Sequence, residues 1–296
     1  MQKNFNLSRL LEFNIGVILI STSGVLGRYV TLLPEITIFW RALLASLFIF
    51  IFCKYKGLSF KTQSSKDTLK IILGGLLMGL HWITYFYSLR LSNVAIGMLS
   101  IFTYPVITSL LEPIILKTKF KLAHLLLSIL VFVGIYFLVP DFNFENDHAI
   151  AVGYGVFSAL CYSLRNIIMK EQVTKYNGLI LMFYQTLIIT IGLSALPFIY
   201  GASGLIAQWK PLITLALLTT CIGHTIFLMS FRHFSITTAS IMSSSQPVFG
   251  IIMGIIFLNE YPSLTTIIGG ILIVSAVIIE SVKSYKTTNT HPTKDQ

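Results

Sequence analysis

The sequence predicts an all-α, polytopic integral membrane protein with ten transmembrane helices in two inverted five-helix repeats. Three observations carry this. The 296 residues are 55% hydrophobic and only 11% charged, far below the roughly 25% charged residues of soluble domains. A core of this size cannot hide so much apolar surface from water, so lipid is the expected solvent. The apolar residues fall into ten stretches, near 11–30, 34–53, 69–89, 93–116, 122–139, 149–169, 178–200, 211–230, 236–258 and 263–282, each long enough for a hydrocarbon core of roughly 30 Å. Finally, the second half repeats the first. Ser88-Leu89-Arg90 returns as Ser230-Phe231-Arg232, and Pro105-Val106 as Pro247-Val248, both 142 positions later, while Phe39-Trp40-Arg41 is answered by Phe183-Tyr184-Gln185 after 144. Equivalent stretches then lie five crossings apart. Five is odd, so each helix runs opposite to its counterpart.

The first stretch follows Lys3 and Arg9, but its apolar run is long and turns polar at Ser21-Thr22-Ser23, with no small-x-small cleavage site. It reads as a permanent helix rather than a signal peptide. Pro34 and Pro262 open or precede helices, where a missing N–H costs nothing. Asn93, Asn177 or Gly178, and Ser235 or Ser263 are start signals. Gly74-Gly75 with Gly79, and Gly269-Gly270, supply small residues for close helix approach. The expected organisation is a first repeat over 1–140, a second over 149–282 and a short cytoplasmic tail over 283–296.

The formal charge of +10 is topology, not a nucleic-acid footprint. With the N-terminus cytoplasmic, eleven lysines and arginines from Lys54 to Arg232 fall in inside loops, and only Arg28, Arg90 and Lys210 fall outside. The positive-inside rule therefore places both termini in the cytoplasm of a multi-pass protein of the cell (inner) membrane. Cys53, Cys161 and Cys221 sit in or beside apolar runs and read as ordinary buried thiols, with no metal or cofactor expected.

An arginine early in the second helix (Trp40-Arg41-Ala42-Leu43), an aromatic third helix (Tyr85-Phe86-Tyr87-Ser88-Leu89-Arg90) and paired Pro-Val positions at Pro105 and Pro247 form a recognisable pattern. So does the run from Gln246-Pro247-Val248-Phe249 through Leu258-Asn259-Glu260. Over residues 11 to 282 the chain resembles the EamA-type transporters of the drug/metabolite transporter superfamily. It departs from them at Lys117-Thr118, where an acidic helix ending is missing, and at Ser21-Thr22-Ser23-Gly24, where a Trp-Gly pair is usual. The resemblance implies a transporter with metabolite export as its direction; the two inverted halves imply alternating access, and the mid-depth His81 and His224 make protons a candidate coupling ion.

Polar residues at membrane depth are costly, so each is a site candidate. Ser100, Tyr104, Thr108 and Glu112 recur every four residues on one face of the fourth helix. At the same offsets the ninth helix has Gln246, Gly250 and Gly254. Both stripes surround a proline that removes a helical hydrogen bond, which suits a cavity wall or a kinked packing seam. His81, Trp82 and Tyr85 on the third helix, and His224 on its counterpart, can stack on and hydrogen-bond a small amphipathic metabolite. The predicted substrate-binding set is His81, Trp82, Tyr85, Tyr104, Thr108, His224, Ser243 and Gln246.

The predicted gating or coupling set is Arg41, Glu112 and Arg165. Glu112 and Arg165 each lie five residues before a lysine on inward-going helices, at a common depth that suits either an ion-paired gate or two side chains reaching separately for the interface. Arg41 has three available roles: holding an anionic substrate group, pairing with Glu35, or bonding carbonyls of neighbouring helices. Its counterpart Gln185 is neutral, which argues against a symmetric anion clamp and for a zwitterionic amino acid or similar substrate. No His-Glu-x-x-His, Gly-x-Ser-x-Gly or P-loop motif is present, so no enzyme is expected. The alternative is a membrane receptor or sensor that binds a small metabolite without moving it.

Overall fold

Helix boundaries follow the local chemistry of the chain. The computed structural model describes residues 2–116, 122–138, 146–201, 204–233, 239, 243 and 245–290, and among these there is no strand. The helices are α1 (Gln2–Tyr29), α2 (Pro34–Tyr55), α3 (Ser65–Leu91), α4 (Val94–Ile101), α5 (Tyr104–Leu116), α6 (Leu122–Leu138), α7 (Asp147–Lys175) and α8 (Gly178–Gly192). Then come α9 (Leu196–Tyr200), α10 (Leu205–Thr214), a π-helical segment Leu215–His224, α11 (Thr225–Ser230), α12 (Gln246–Leu258) and α13 (Leu264–Thr290). Among the described residues, four helical stretches are long and apolar enough to cross a membrane: Pro34–Tyr55, Ser65–Leu91, Val94–Ile115 and Leu205–Ser230. The expected ninth stretch begins outside the described residues, as does Ser235.

Asparagine side chains start three helices by accepting orphan backbone N–H groups. Asn93 takes Ile96, Asn146 takes His148 and Asn177 takes Leu179. Ser263 Oγ accepts from Thr266 N at 3.1 Å. The two Pro-Val sites do not kink continuous helices. α4 ends before a turn at Phe102 and Thr103, and Pro105 falls in the first turn of α5. Pro247 likewise falls in the first turn of α12, where its missing N–H would have been unpaired anyway. At the C-terminus, helix α13 continues through Thr290, past the expected tail boundary at 283. After Gly270 the sequence has no Gly or Pro before Pro292.

The long α3 and α7 pack along each other, with α8 against both α2 and α3, α1 against the π segment and α12, and α6 against α13. Small residues make the closest approaches. A Cβ on Gly155 of α7 would overlap the Ser100 side chain of α4. On α12, Gly250 and Gly254 face Met98 and Val94, so the slim face of that helix receives α4. Trp82, Arg41 and Arg165 head the fully buried side chains. Two buried guanidinium groups in an apolar bundle demand an explanation.

Candidate functional site

A cavity lies where α1, α3, α4, α5, α7, the π segment and α12 converge. His81, Trp82 and Tyr85 of α3 form one side of its wall, and Tyr104, His224 and Gln246 contribute others. All six belong to the predicted binding set. The other two members do not line it. Thr108 Oγ1 donates to the Tyr104 carbonyl at 2.8 Å, and Ser243 Oγ lies 2.7 Å from Tyr104 Oη. They brace Tyr104 from behind.

The wall also includes Ile20, Ser23, Met98, Phe102 and Tyr162. Three pairs of wall residues are 142 positions apart: Ile20 with Tyr162, Trp82 with His224, and Tyr104 with Gln246. Tyr162 stands among Ala159, Leu160, Cys161, Ser163 and Leu164, and this spacing is the sequence signal that points to it. The cavity volume is about 40 Å³. That is room for a few waters, against roughly 300 Å³ or more in pockets that hold small molecules. The space as it stands is too small for a metabolite.

His81 and Ser158 exchange hydrogen bonds. Ser158 Oγ donates to the His81 carbonyl at 2.7 Å, and His81 Nδ1 lies 2.9 Å from the same Oγ. Because the hydroxyl proton is directed at the carbonyl, Oγ is placed to accept from Nδ1–H. The imidazole stacks on Tyr162 with centroids 4.4 Å apart. His224 sits 5.4 Å from the Trp82 ring. Among the described residues neither His224 Nδ1 nor Trp82 Nε1 has a hydrogen-bond partner.

Among the described residues Arg41 bonds neither Glu35 nor a helix carbonyl. Its Nε donates to Thr220 Oγ1 at 2.7 Å and its Nη2 to Thr219 Oγ1 at 2.8 Å, while its guanidinium lies 4.0 Å from the Trp82 ring centroid. Two consecutive threonines reach one guanidinium because they sit in the π segment. Its i→i+5 pattern puts more residues in each turn, so neighbouring side chains diverge less. Glu35 is engaged elsewhere, accepting from Tyr87 Oη at 2.8 Å.

The Glu112–Arg165 pair is not formed. Arg165 Nε donates to Gln185 Oε1 at 2.7 Å and Nη1 to Asn166 Oδ1 at 2.9 Å. Glu112 instead faces Lys170, 3.8 Å away. Equal depth fixes height on two helices but not direction around their axes. Lys170 is five residues beyond Arg165, or about 140° round the helix, and takes the carboxylate while Arg165 turns into the bundle.

Hydrogen-bonded clusters stand at the two ends of α3. At one, Glu260 accepts from Arg28 Nε at 2.9 Å and from the backbone N–H of Val94 at 2.7 Å, and Arg28 also reaches the Arg90 carbonyl. At the other, Arg232 donates to the carbonyls of Val173 and Tyr176, both at 2.6 Å. Tyr176 Oη donates to Asp67, and Lys175 bridges Asp67 and Glu171. Burial raises nothing here that the lysines do not outweigh: hydrogen bonds from Lys175 and Lys70 hold the Glu171 carboxyl below its ordinary range.

The profile of the EamA-like transporter family matches this chain twice, over residues 10–139 and 149–282. The chain belongs to that family. Among EamA-like relatives, the pseudopaline exporter CntI of Pseudomonas aeruginosa is 22% identical across 81% of this chain and 84% of its own length. An S-adenosylmethionine uptake transporter of Rickettsia bellii is 25% identical across 90% of each chain. A protein of known crystal structure superposes with a TM-score of 0.69 over 95% of this chain and 98% of its own, at 14% identity, and so shares the fold. An EamA-like chain is a multi-pass membrane protein whose partners are lipid and a small molecule, and these family and relative names speak for transport rather than catalysis.

Proposed function

We propose that this protein is a secondary transporter that carries a small amphipathic metabolite, an amino acid or similar compound, across the plasma membrane. It does so by alternating access of two inverted five-helix halves, residues 1–140 and 149–282, with ten crossings and both termini cytoplasmic. The observation that carries this reading is a small chamber whose wall pairs Ile20 with Tyr162, Trp82 with His224 and Tyr104 with Gln246 at one constant spacing. A double match to the family profile supports the same two-half organisation. A site built from equivalent positions of two opposed repeats can be exposed to either side by rocking one half against the other.

In this reading His81, Trp82, Tyr85, Tyr104, His224 and Gln246 contact the substrate, with Thr108 and Ser243 holding Tyr104 in place. Arg41, Glu112 and Arg165 act in gating or coupling. The working direction is export, as the name of the Pseudomonas relative says of that protein; uptake, as the Rickettsia relative is named, is the result that would reverse it. Protons are the candidate coupling ion.

The test is uptake and efflux in proteoliposomes of the purified protein, with labelled amino acids and small metabolites, with and without a pH gradient. Saturable flux that is lost in Tyr104→Ala and Gln246→Ala supports the reading, and acceleration by the gradient adds proton coupling. A folded, inserted protein that binds a metabolite but gives no flux in either direction overturns it in favour of a receptor or sensor.

A further inference from the structure

The interior holds two fully buried guanidinium groups, Arg41 and Arg165, and among the described residues neither has a carboxylate within ion-pair reach. Hydroxyls and amides hold them instead: Thr219 and Thr220 for Arg41, Gln185 and Asn166 for Arg165. Each keeps one terminal nitrogen without a partner, Arg41 Nη1 and Arg165 Nη2. A buried cation without a counter-charge is expensive, and neutral dipoles offset only part of that cost. The missing negative charge has to come from elsewhere.

Both arginines stand behind the chamber. Arg41 lies over the Trp82 ring, and Arg165 lies 6.0 Å from the ring of Tyr162; both rings belong to the wall. Trp82 Nε1 and His224 Nδ1 add two unpartnered nitrogens on wall residues themselves. The neutrality of Gln185 suggested a single arginine in the site, but Gln185 is the residue that holds Arg165. A second guanidinium thus reaches the position equivalent to Arg41 from a neighbouring helix. In a low-dielectric enclosure two such charges set a positive potential that selects for anions.

Resting on the transporter reading above, we propose that the substrate carries two separated carboxylates, one drawn towards the Arg41–Trp82–His224 side and the other towards Arg165–Tyr162. The substrate is then the counter-ion of the site. Its carboxylates accept from donors that are otherwise unmatched, which is the pairing for which guanidinium geometry is suited.

The first test is thermal unfolding of the purified protein at constant ionic strength, comparing glutamate with glutamine and glutarate with its diamide at millimolar concentration. The dicarboxylates should stabilise the protein, and their amides should act on the order of tenfold more weakly or worse, because an amide removes the charge the site lacks. Arg41→Gln and Arg165→Gln should remove the discrimination, while Arg165→Lys should retain part of it. If these variants do not fold, the comparison on the unaltered protein decides alone. Equal or greater stabilisation by the amides, or none by either dicarboxylate, overturns the proposal. Labelled glutamine flux with no glutamate flux would also overturn it while leaving the transporter reading standing.

Discussion

Glu260 and Arg28 are joined by a 2.9 Å hydrogen-bonded ion pair, and the second oxygen of Glu260 caps the backbone N–H of Val94 at the start of α4. One carboxylate therefore ties together the end of α1, the start of α4 and the segment between α12 and α13. The position 142 residues after Arg28 is Lys170, whose carboxylate partner is Glu112 at 3.8 Å. The two cations lie 142 positions apart, and their ion pairs are unequal clasps between helices.

Loss of the stronger clasp should open its end. Glu260→Gln removes one ion pair and weakens a charge-assisted bond to a backbone N–H, together worth about 1–2 kcal/mol, or roughly a tenfold shift between closed and open forms. With the native cysteines replaced and Ser23→Cys as a reporter in the wall, an impermeant thiol reagent applied on the Glu260 side should label several-fold faster in Glu260→Gln. An unchanged rate would mean that this clasp does not limit access.

Glu112 and Arg165 should behave as independent sites. In a double-mutant cycle, Glu112→Gln and Arg165→Gln should add to within about 0.5 kcal/mol, read as stability or as transport. Arg165→Gln combined with Gln185→Leu should fall well short of additive, because those two side chains share a 2.7 Å bond.

Tyr104→Phe keeps the ring but deletes the hydroxyl that meets Ser243. Leaving Ser243 short of that partner should cost about 1 kcal/mol. Because the lost group borders the chamber, the substrate KM should rise more than kcat falls. A change confined to unfolding temperature would assign Tyr104 a packing role only.

Gly155→Ala should destabilise the protein by about 1–3 kcal/mol, the usual cost of overfilling a packed contact, since its new Cβ would overlap Ser100. Ser100→Gly should recover much of the loss when combined with it. The measurement is the thermal unfolding midpoint of each single variant and of the double.

A modest pH dependence should come from the cluster beyond the membrane-facing part of α7. Hydrogen bonds from Lys175 and Lys70 depress the Glu171 pKa, so its stabilising contribution is present above the ordinary value of 4.5 and fades as pH falls through the lowered one. Hydrogen bonds to Glu171 and Asp67 raise the Lys175 pKa. That contribution is present below the ordinary 10.5 and is lost as pH rises through the raised value. Unfolding midpoints should therefore be flat between these limits. The acid-side decline should be shallower in Glu171→Gln, by about 1 °C for so exposed a group.

Much of this arrangement was legible in the sequence, and what was not has identifiable causes. Caps such as Asn93 and Asn177 are local chemistry, so helix starts could be read from them. Six wall residues stood out because histidine, tryptophan, tyrosine and glutamine contrast with apolar neighbours. Met98, Phe102 and Ile20 offer no such contrast. The partners of Arg165 and Glu112 depend on the direction a side chain takes around its helix, which depth cannot supply. The π segment leaves no periodic mark of its own, so nothing announced that Thr219 and Thr220 would share Arg41. The Pro105 site was read as a bend within one helix, whereas the chain breaks two residues earlier and begins again.

That break has a consequence for how the two faces can work. A passage made of a short rod and a longer one, joined at Phe102 and Thr103, is a jointed lever. Its first arm is fastened to Glu260 at one tip and bears on Gly155 and Gly250 along its length, while its second arm carries Tyr104 and Glu112. In the alternating-access reading proposed above, each arm would follow the clasp at its own end, so that releasing one side of the membrane would not drag the other with it.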